Sequence, residues 1–94
     1  MDIARSDVVR SAAGRDKGEL FFVLETQGDF LLLADGRRRR VERPKRKKRK
    51  HVEPVRASLT RTAEKIRSGG AVSNSELRRT LAQLRGVGNP DQEG

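Results

Sequence analysis

The sequence predicts a small, mainly β protein, in which a five-stranded barrel is followed by two short C-terminal α-helices. Residues 8–55 are typical of short strands separated by turn residues, a pattern that suits a small barrel. Apolar residues then recur at helical spacing between residues 59 and 84. With 94 residues, of which 33% are hydrophobic, the chain has material for one small core.

The first three strands are predicted from apolar segments and the turns between them. Val8-Val9 is a brief first strand, and a polar loop bracketed by Gly14 and Gly18 follows it. Leu20–Leu24 is rich in β-favouring residues and is the clearest strand. A four-residue turn over 26–29 then leads to its hairpin partner, residues 30–34.

The last two strands are predicted from turn chemistry and alternation. Asp35-Gly36 predicts a tight type I′ turn, because both residues tolerate the dihedral angles that this turn needs. A strand over 38–42 would then pair back on the third strand. After Pro44 and a run of basic residues, the segment 51–55 alternates like a short closing edge strand.

The two central strands are apolar at nearly every position, so their outer face needs a cover. Two helices in the C-terminal third can supply one. The first has its apolar stripe at Leu59, Ala63 and Ile66, and the second at Leu77, Leu81 and Leu84. Both are too short to persist alone in water, so we expect them to pack on the barrel or to dock on a partner.

Signals at the helix ends set the predicted domain organisation. The first helix stops at Gly69-Gly70, Ser73 and Glu76 fit a capping box for the second helix, and Gly86 ends it. Residues 1–56 then form the barrel, 57–85 the helical pair and 86–94 a flexible tail.

The basic charge is concentrated in one segment. The chain has 22 basic and 13 acidic residues, a net charge of +9. Residues 37–50, called the basic run below, hold eleven basic residues and one acid, Glu42, while the other 80 residues carry a net charge of −1. Such a segment repels itself and must meet a polyanion or stay extended in water.

The amino-acid composition argues against catalysis and against metal binding. Cysteine is absent and His51 is the single histidine, so thiolate and His-cluster metal sites are excluded and no cofactor is expected. No nucleophile elbow is present, and the segment between Gly14 and Gly18 lacks the length and the following helix of a phosphate-binding P-loop. We therefore expect a protein that is not an enzyme and has no small-molecule substrate.

Several partners could in principle meet the basic run. An inert solvated segment is unfavourable because of the self-repulsion, and a nuclear-import signal is possible from composition alone. A membrane surface fits less well, because the run has no interleaved apolar anchors. Nucleic acid fits best, because dense Lys and Arg residues release counterions when they bind its phosphates, and this favours binding. The run contains no Phe, Tyr or Trp for base stacking, so phosphate and shape recognition are favoured over a base code.

The order of these segments resembles the KOW family. The segment 8–18 with the strand up to Leu24 looks like a KOW motif, and residues 31–36 followed by Arg43-Pro44 and 45–51 sharpen the match. The chain is similar to KOW proteins of the archaeal and eukaryotic large ribosomal subunit, and to small bacterial KOW-domain RNA-binding proteins. The bacterial likeness extends to Ile66, Gly69-Gly70 and residues 73–78, so that the resemblance covers residues 5–85.

The resemblance implies an SH3-like barrel that binds RNA in a ribosomal or ribosome-associated setting, with ribosomal RNA as the expected partner and ribosomal proteins as possible neighbours. In that pattern Gly14 and Gly18 shape a loop from which two side chains reach phosphate. Together with the basic run, the predicted RNA-binding residues are Arg15, Lys17, Arg37, Arg38, Arg39, Arg40, Arg43, Lys45, Arg46, Lys47, Lys48, Arg49 and Lys50. The alternative is a KOW-type protein-interaction module of a transcription or translation factor.

The N-terminal segment and the amino-acid composition predict the compartment. No apolar run long enough to span a membrane exists, and the first seven residues hold no apolar segment suited to secretion. With the missing cysteines, this predicts a cytoplasmic protein in a reducing compartment.

Overall fold

Five antiparallel strands form one sheet, and two helices follow it. The computed structural model describes residues 3–56 and 60–87. The strands are β1 (Val8–Ser11), β2 (Leu20–Gln27), β3 (Phe30–Ala34), β4 (Lys45–Lys48) and β5 (Val52–Arg56), in the spatial order β4-β3-β2-β1-β5. The helices are α1 (Arg61–Arg67) and α2 (Asn74–Val87). The predicted mainly β class with two C-terminal helices is confirmed.

The sheet is not closed, so it is a barrel only in a loose sense. Among the described residues, β5 pairs only with β1 and β4 pairs only with β3, which leaves both as edge strands. A 3₁₀ turn, Arg49–His51, joins these two strands without pairing them. The sheet nevertheless curls. Two strands separate β5 from β3, yet Val52 of β5 and Leu31 of β3 belong to one buried cluster.

Both faces of the sheet are buried, as the apolar central strands predict. The inner cluster consists of Ile3, Val9, Phe21, Val23, Leu31, Leu33 and Val52. On the other face, sheet residues pack with residues of both helices, namely Val8, Leu20, Phe22, Ala34, Ala63, Ile66, Leu77 and Leu81. The helical pair therefore packs on the sheet, which decides between the two predicted roles of the helices.

The helix boundaries follow from capping. Thr60 caps α1 by accepting a hydrogen bond from the backbone N–H of Ala63 at 3.2 Å. At α2 the predicted capping box is confirmed: Ser73 Oγ accepts from Glu76 N at 3.1 Å, and Glu76 Oε1 accepts from Ser73 N at 2.9 Å. The helix continues through Gly86 to Val87, so the predicted stop at Gly86 is wrong. Residue 59 and the predicted tail beyond Val87 lie outside the described residues.

Two connections differ from their predictions. Gln27 pairs with Phe30, which reduces the predicted four-residue turn to Gly28-Asp29. Gly28 has a φ of 61°, as the first central residue of a type II′ turn requires. The strand predicted over 38–42 is absent, because residues 45–48 of the basic run pair with β3 instead.

Candidate nucleic-acid interface

A buried carboxylate organises the loop between β1 and β2, which we call the glycine loop (residues 12–19). Gly14 and Gly18 both have positive φ, 89° and 92°, and turn the chain so that Asp16 points inwards. Asp16 Oδ1 accepts a hydrogen bond of 2.6 Å from Ser11 Oγ, and its two oxygens lie 2.7 Å from Lys45 Nζ and 3.0 Å from Lys47 Nζ. The carboxylate therefore ties the glycine loop to β4.

The pKa of Asp16 reflects these contacts. Burial by itself would raise the pKa, since only 9% of the side chain is exposed. Hydrogen bonds from Lys45, Ser11 and Lys47 outweigh that effect and hold the pKa well below its ordinary value. Asp16 is thus ionised at neutral pH and neutralises charge inside the basic run.

The inward face of β4 is committed to this ion-pair cluster. Lys47 is 7% exposed, and its Nζ also donates to the carbonyl of Ala13 at 2.7 Å. Lys45 lies on the same face and is 24% exposed. These two predicted RNA-binding residues therefore hold the glycine loop in place, and Lys47 presents almost no surface to a partner.

The connection from β3 to β4, residues 35–44, is called the arginine loop. Asp35 is buried, and its Oδ1 accepts from the backbone N–H groups of Arg37 and Arg39 at 2.9 and 3.0 Å. Its own N–H donates to the carbonyl of Arg39 at 2.9 Å. Asp35 thus closes a side-chain-capped turn rather than a type I′ hairpin, and this prevents the arginines from extending into a strand.

The start of α2 fixes the arginine loop from the other side. Asn74 Oδ1 accepts from the N–H of Val41 at 2.8 Å, and Asn74 Nδ2 donates to Glu42 at 3.0 Å. Arg78 donates to the carbonyl of Gly36 at 2.7 Å. Gly36 has a φ of 80°, and a Cβ there would lie 2.2 Å from the carbonyl oxygen of Asn74. Only glycine permits this close approach of loop and helix.

The glycine loop and the arginine loop meet at one cleft. Its volume is about 180 Å³, and its lining consists of Arg15, Asp16, Phe21, Arg38, Arg39 and Lys45. Arg15, Arg38 and Arg39 are exposed, while Asp16 is already paired with lysines. Three free guanidinium groups from two loops therefore surround a concave surface of phosphate-binding chemistry.

The outward face of β4 carries a second group of cations beside an aromatic ring. In the β3–β4 register Phe30 pairs with Lys48 and Leu32 pairs with Arg46, so all four side chains share one face. The guanidinium of Arg46 lies 3.8 Å from the centroid of the Phe30 ring, and Lys48 Nζ lies 5.9 Å from it. Arg46 and Lys48 are exposed, and Phe30 is half-buried.

The side chain of Arg49 binds two backbone carbonyl groups of this chain. Its Nε donates to the carbonyl of Gly28 at 2.7 Å and its Nη1 to the carbonyl of Ile3 at 3.0 Å. The side chain therefore fastens the N-terminal segment to the β2–β3 turn. It leaves Lys50 as the exposed cation of the 3₁₀ turn.

Ten of the thirteen predicted RNA-binding residues are exposed. They are Arg15, Lys17, Arg37, Arg38, Arg39, Arg40, Arg43, Arg46, Lys48 and Lys50. The structure brings Arg15, Arg38 and Arg39 together with Lys45 at one end of β4, and it places Lys48 and Lys50 at the other end. With a rise of about 3.3 Å per residue, the ends of this four-residue strand lie about 10 Å apart.

The sequence does not single out Phe30 as a residue of this surface, because its segment predicts only a core strand. The sequence does carry a signal, because every second residue of a strand faces the same side of the sheet. Residues 30 and 32 therefore share one side of β3, and residues 46 and 48 share one side of β4. Pairing these segments places the ring beside two cations, but the Asp35-Gly36 turn predicts residues 38–42 as the partner of β3.

Comparison with known proteins leaves the family open. A scan against protein-family models found no match to this chain, and a search of curated proteins found none similar to it. The resemblance to KOW proteins therefore stays a prediction. Within residues 3–56 and 60–87, neither helix has the length and apolar character needed to cross a membrane. The same residues contain no group of three or more acidic or histidine side chains placed to hold a metal ion.

Proposed function

We propose that this chain is a non-catalytic RNA-binding protein of the KOW type that acts in a ribosomal or ribosome-associated setting. It binds structured RNA, with ribosomal RNA as the expected partner, chiefly through phosphate contacts. The observation that carries the proposal is the cleft at which Arg15 of the glycine loop meets Arg38 and Arg39 of the arginine loop.

The placement of the cations supports a polyanionic ligand. Exposed lysines and arginines on an edge strand can serve simply to prevent pairing with another sheet, which would account for Arg46 and Lys48. That explanation does not extend to the arginine loop, which contains no strand edge to protect. Asp35 and Asn74 instead fix its backbone, which lowers the entropy lost when its side chains bind phosphates.

The shape of the surface favours an RNA with regular structure over an extended single strand. The arginine-loop cleft offers planar guanidinium forks, which bind phosphate bidentately, and its one aromatic side chain, Phe21, is fully buried in the inner cluster. Single-strand binders depend on exposed aromatic residues along the groove. Cations at both ends of β4 can instead contact separate phosphates of one duplex backbone.

The cleft can be tested with two double variants of equal charge. Arg38→Ala/Arg39→Ala removes two exposed cations of the cleft, and Arg61→Ala/Arg79→Ala removes two exposed cations of the helices as the matched control. Binding of the full chain to a labelled RNA hairpin is measured at several salt concentrations. The cleft variant should bind more weakly and lose about two units of salt slope, roughly one for each phosphate contact.

The control variant should change both quantities much less. Equal effects of the two double variants would show that only net charge matters and would contradict a defined RNA site at the cleft. The ribosomal setting is tested separately by sedimentation of a native lysate. The chain should migrate with ribosomal particles at low salt and leave them at high salt, whereas co-migration with RNA polymerase would favour the protein-interaction alternative.

A further inference from the structure

We propose that Phe30 and Arg46 form a platform on which one unpaired RNA base stacks, while Lys48 and Lys50 bind the phosphates that flank it. This inference rests on the proposed function and names a feature of the RNA: an unpaired nucleotide, such as a bulge, next to the duplex. The basic run itself contains no aromatic residue, and the ring comes from the neighbouring strand β3.

The first argument is the geometry of the stack. The guanidinium of Arg46 lies 3.8 Å from the centroid of Phe30, a distance at which the planar group rests on the ring face. Arg46 is exposed, so the ring holds one face of the guanidinium and leaves surface of the group open to a partner. RNA-binding proteins stack unpaired bases on both aromatic rings and arginine planes. A base on this pair would extend an existing stack.

The second argument is the cleft beside the ring. It has a volume of about 470 Å³ and is lined by Asp29, Phe30, Lys48, Arg49 and Lys50. Because the Arg49 side chain donates to the carbonyls of Gly28 and Ile3, the exposed cations of this lining are Lys48 and Lys50. They supply the charge for a phosphate at the edge of the cleft.

The third argument is the carboxylate in the same lining. Asp29 is exposed at the β2–β3 turn, and its carboxylate disfavours a phosphate on its own side of the cleft but accepts hydrogen bonds. An exocyclic amino group of a base and a ribose 2′-hydroxyl both offer such a donor. Ring, acceptor and cations together match a nucleotide better than they match a run of phosphates alone.

The platform lies at the opposite end of β4 from the arginine-loop cleft. Lys45 lines the arginine-loop cleft and Lys48 lines the Phe30 cleft, and the four-residue strand places them about 10 Å apart. The two sites can therefore act on one RNA, with the cleft on a duplex backbone and the platform on a neighbouring unpaired base.

The test compares two RNA hairpins that differ only by a single-nucleotide bulge in the stem. Affinities of the full chain are measured for both, and the ratio of bulged to perfect stem is the readout. Arg46→Lys preserves the charge but removes the plane, and Arg43→Lys makes the same exchange at an exposed arginine of the arginine loop. Phe30→Leu, which keeps an apolar side chain on β3, is the second platform variant.

The unaltered protein should prefer the bulged stem by about fivefold or more, as expected for stacking of one base. Arg46→Lys and Phe30→Leu should lose most of this preference while still binding the perfect stem, and Arg43→Lys should keep it. Equal affinity of the unaltered protein for both stems, or an unchanged preference in both platform variants, would overturn the platform and leave RNA binding intact. Absence of salt-dependent binding to either stem would instead overturn the proposed function.

Discussion

The ion-pair cluster around Asp16 should control the stability of the whole sheet, and Asp16→Asn is the direct perturbation. Removing one partner of a buried ion pair costs about 3–5 kcal/mol, because the remaining charge stays buried without compensation. Lys45 can turn towards water and Lys47 keeps its bond to the Ala13 carbonyl, so we expect the lower end, about 3 kcal/mol. For a domain of this size, that loss corresponds to a decrease in Tm of roughly 12–24 °C.

Urea unfolding followed by circular dichroism gives the free energy of unfolding, since the chain has no Trp or Tyr for fluorescence. The matched control is Asp29→Asn, at an exposed turn position, which should change stability by less than about 0.5 kcal/mol. A free energy of unfolding for Asp16→Asn equal to that of the control would refute the role assigned to this cluster.

The same cluster predicts a dependence of stability on pH. The pKa of Asp16 is lower in the folded chain than its ordinary value near 4, so its ionisation stabilises the fold at pH values above that. This contribution should be lost progressively as the pH falls from about 4 towards the depressed folded pKa. Asp16→Asn should show a correspondingly smaller loss of stability over this acidic range, and parallel curves for the two proteins would argue against the assignment.

Two further substitutions test the attachment of the helices. The side chain of Leu81 is 1% exposed and lies between α2 and the sheet. Leu81→Ala should therefore lower the free energy of unfolding by about 3 kcal/mol. A loss below about 1 kcal/mol would contradict packing of α2 on the sheet. Gly36→Ala should cost more than about 2 kcal/mol, because backbone strain at its positive φ adds to the clash with the Asn74 carbonyl. Gly28→Ala is the matched control with positive φ but open space around the Cβ, and equal losses at both glycines would disprove the tight contact between the arginine loop and α2.

Local signals in the sequence predict much of the sheet and the helices. The hairpin of β2 and β3 follows from two apolar segments of β-favouring residues, and the capping box at Ser73 and Glu76 marks the start of α2. The apolar character of both faces of the central strands predicts that a cover is needed, and Leu77 and Leu81 supply it. In each case the deciding contacts are close in sequence or follow from a simple periodicity.

The strand β4 could not be predicted in this way, because four consecutive basic residues have no apolar pattern. Their inward-facing lysines are stabilised by Asp16, which lies about thirty positions earlier, and no local rule connects those positions. The turn at Asp35 also differs from its prediction. The dipeptide Asp35-Gly36 predicts a hairpin, whereas the Asp35 side chain accepts hydrogen bonds from the N–H groups of Arg37 and Arg39 and so caps the arginine loop. The position of Phe30 beside Arg46 depends on the β3–β4 register, so it cannot be predicted without β4.

The salt dependence of RNA binding tests the central claim most directly. The affinity of the full chain for a structured RNA hairpin is measured over a series of monovalent salt concentrations, with a single strand of equal length as the comparison. If about six to eight exposed cations contact phosphates, the logarithm of the affinity should fall with the logarithm of salt concentration at a slope of roughly −4 to −7, and the hairpin should bind more tightly. A slope near zero, or a clear preference for the single strand, would contradict the account.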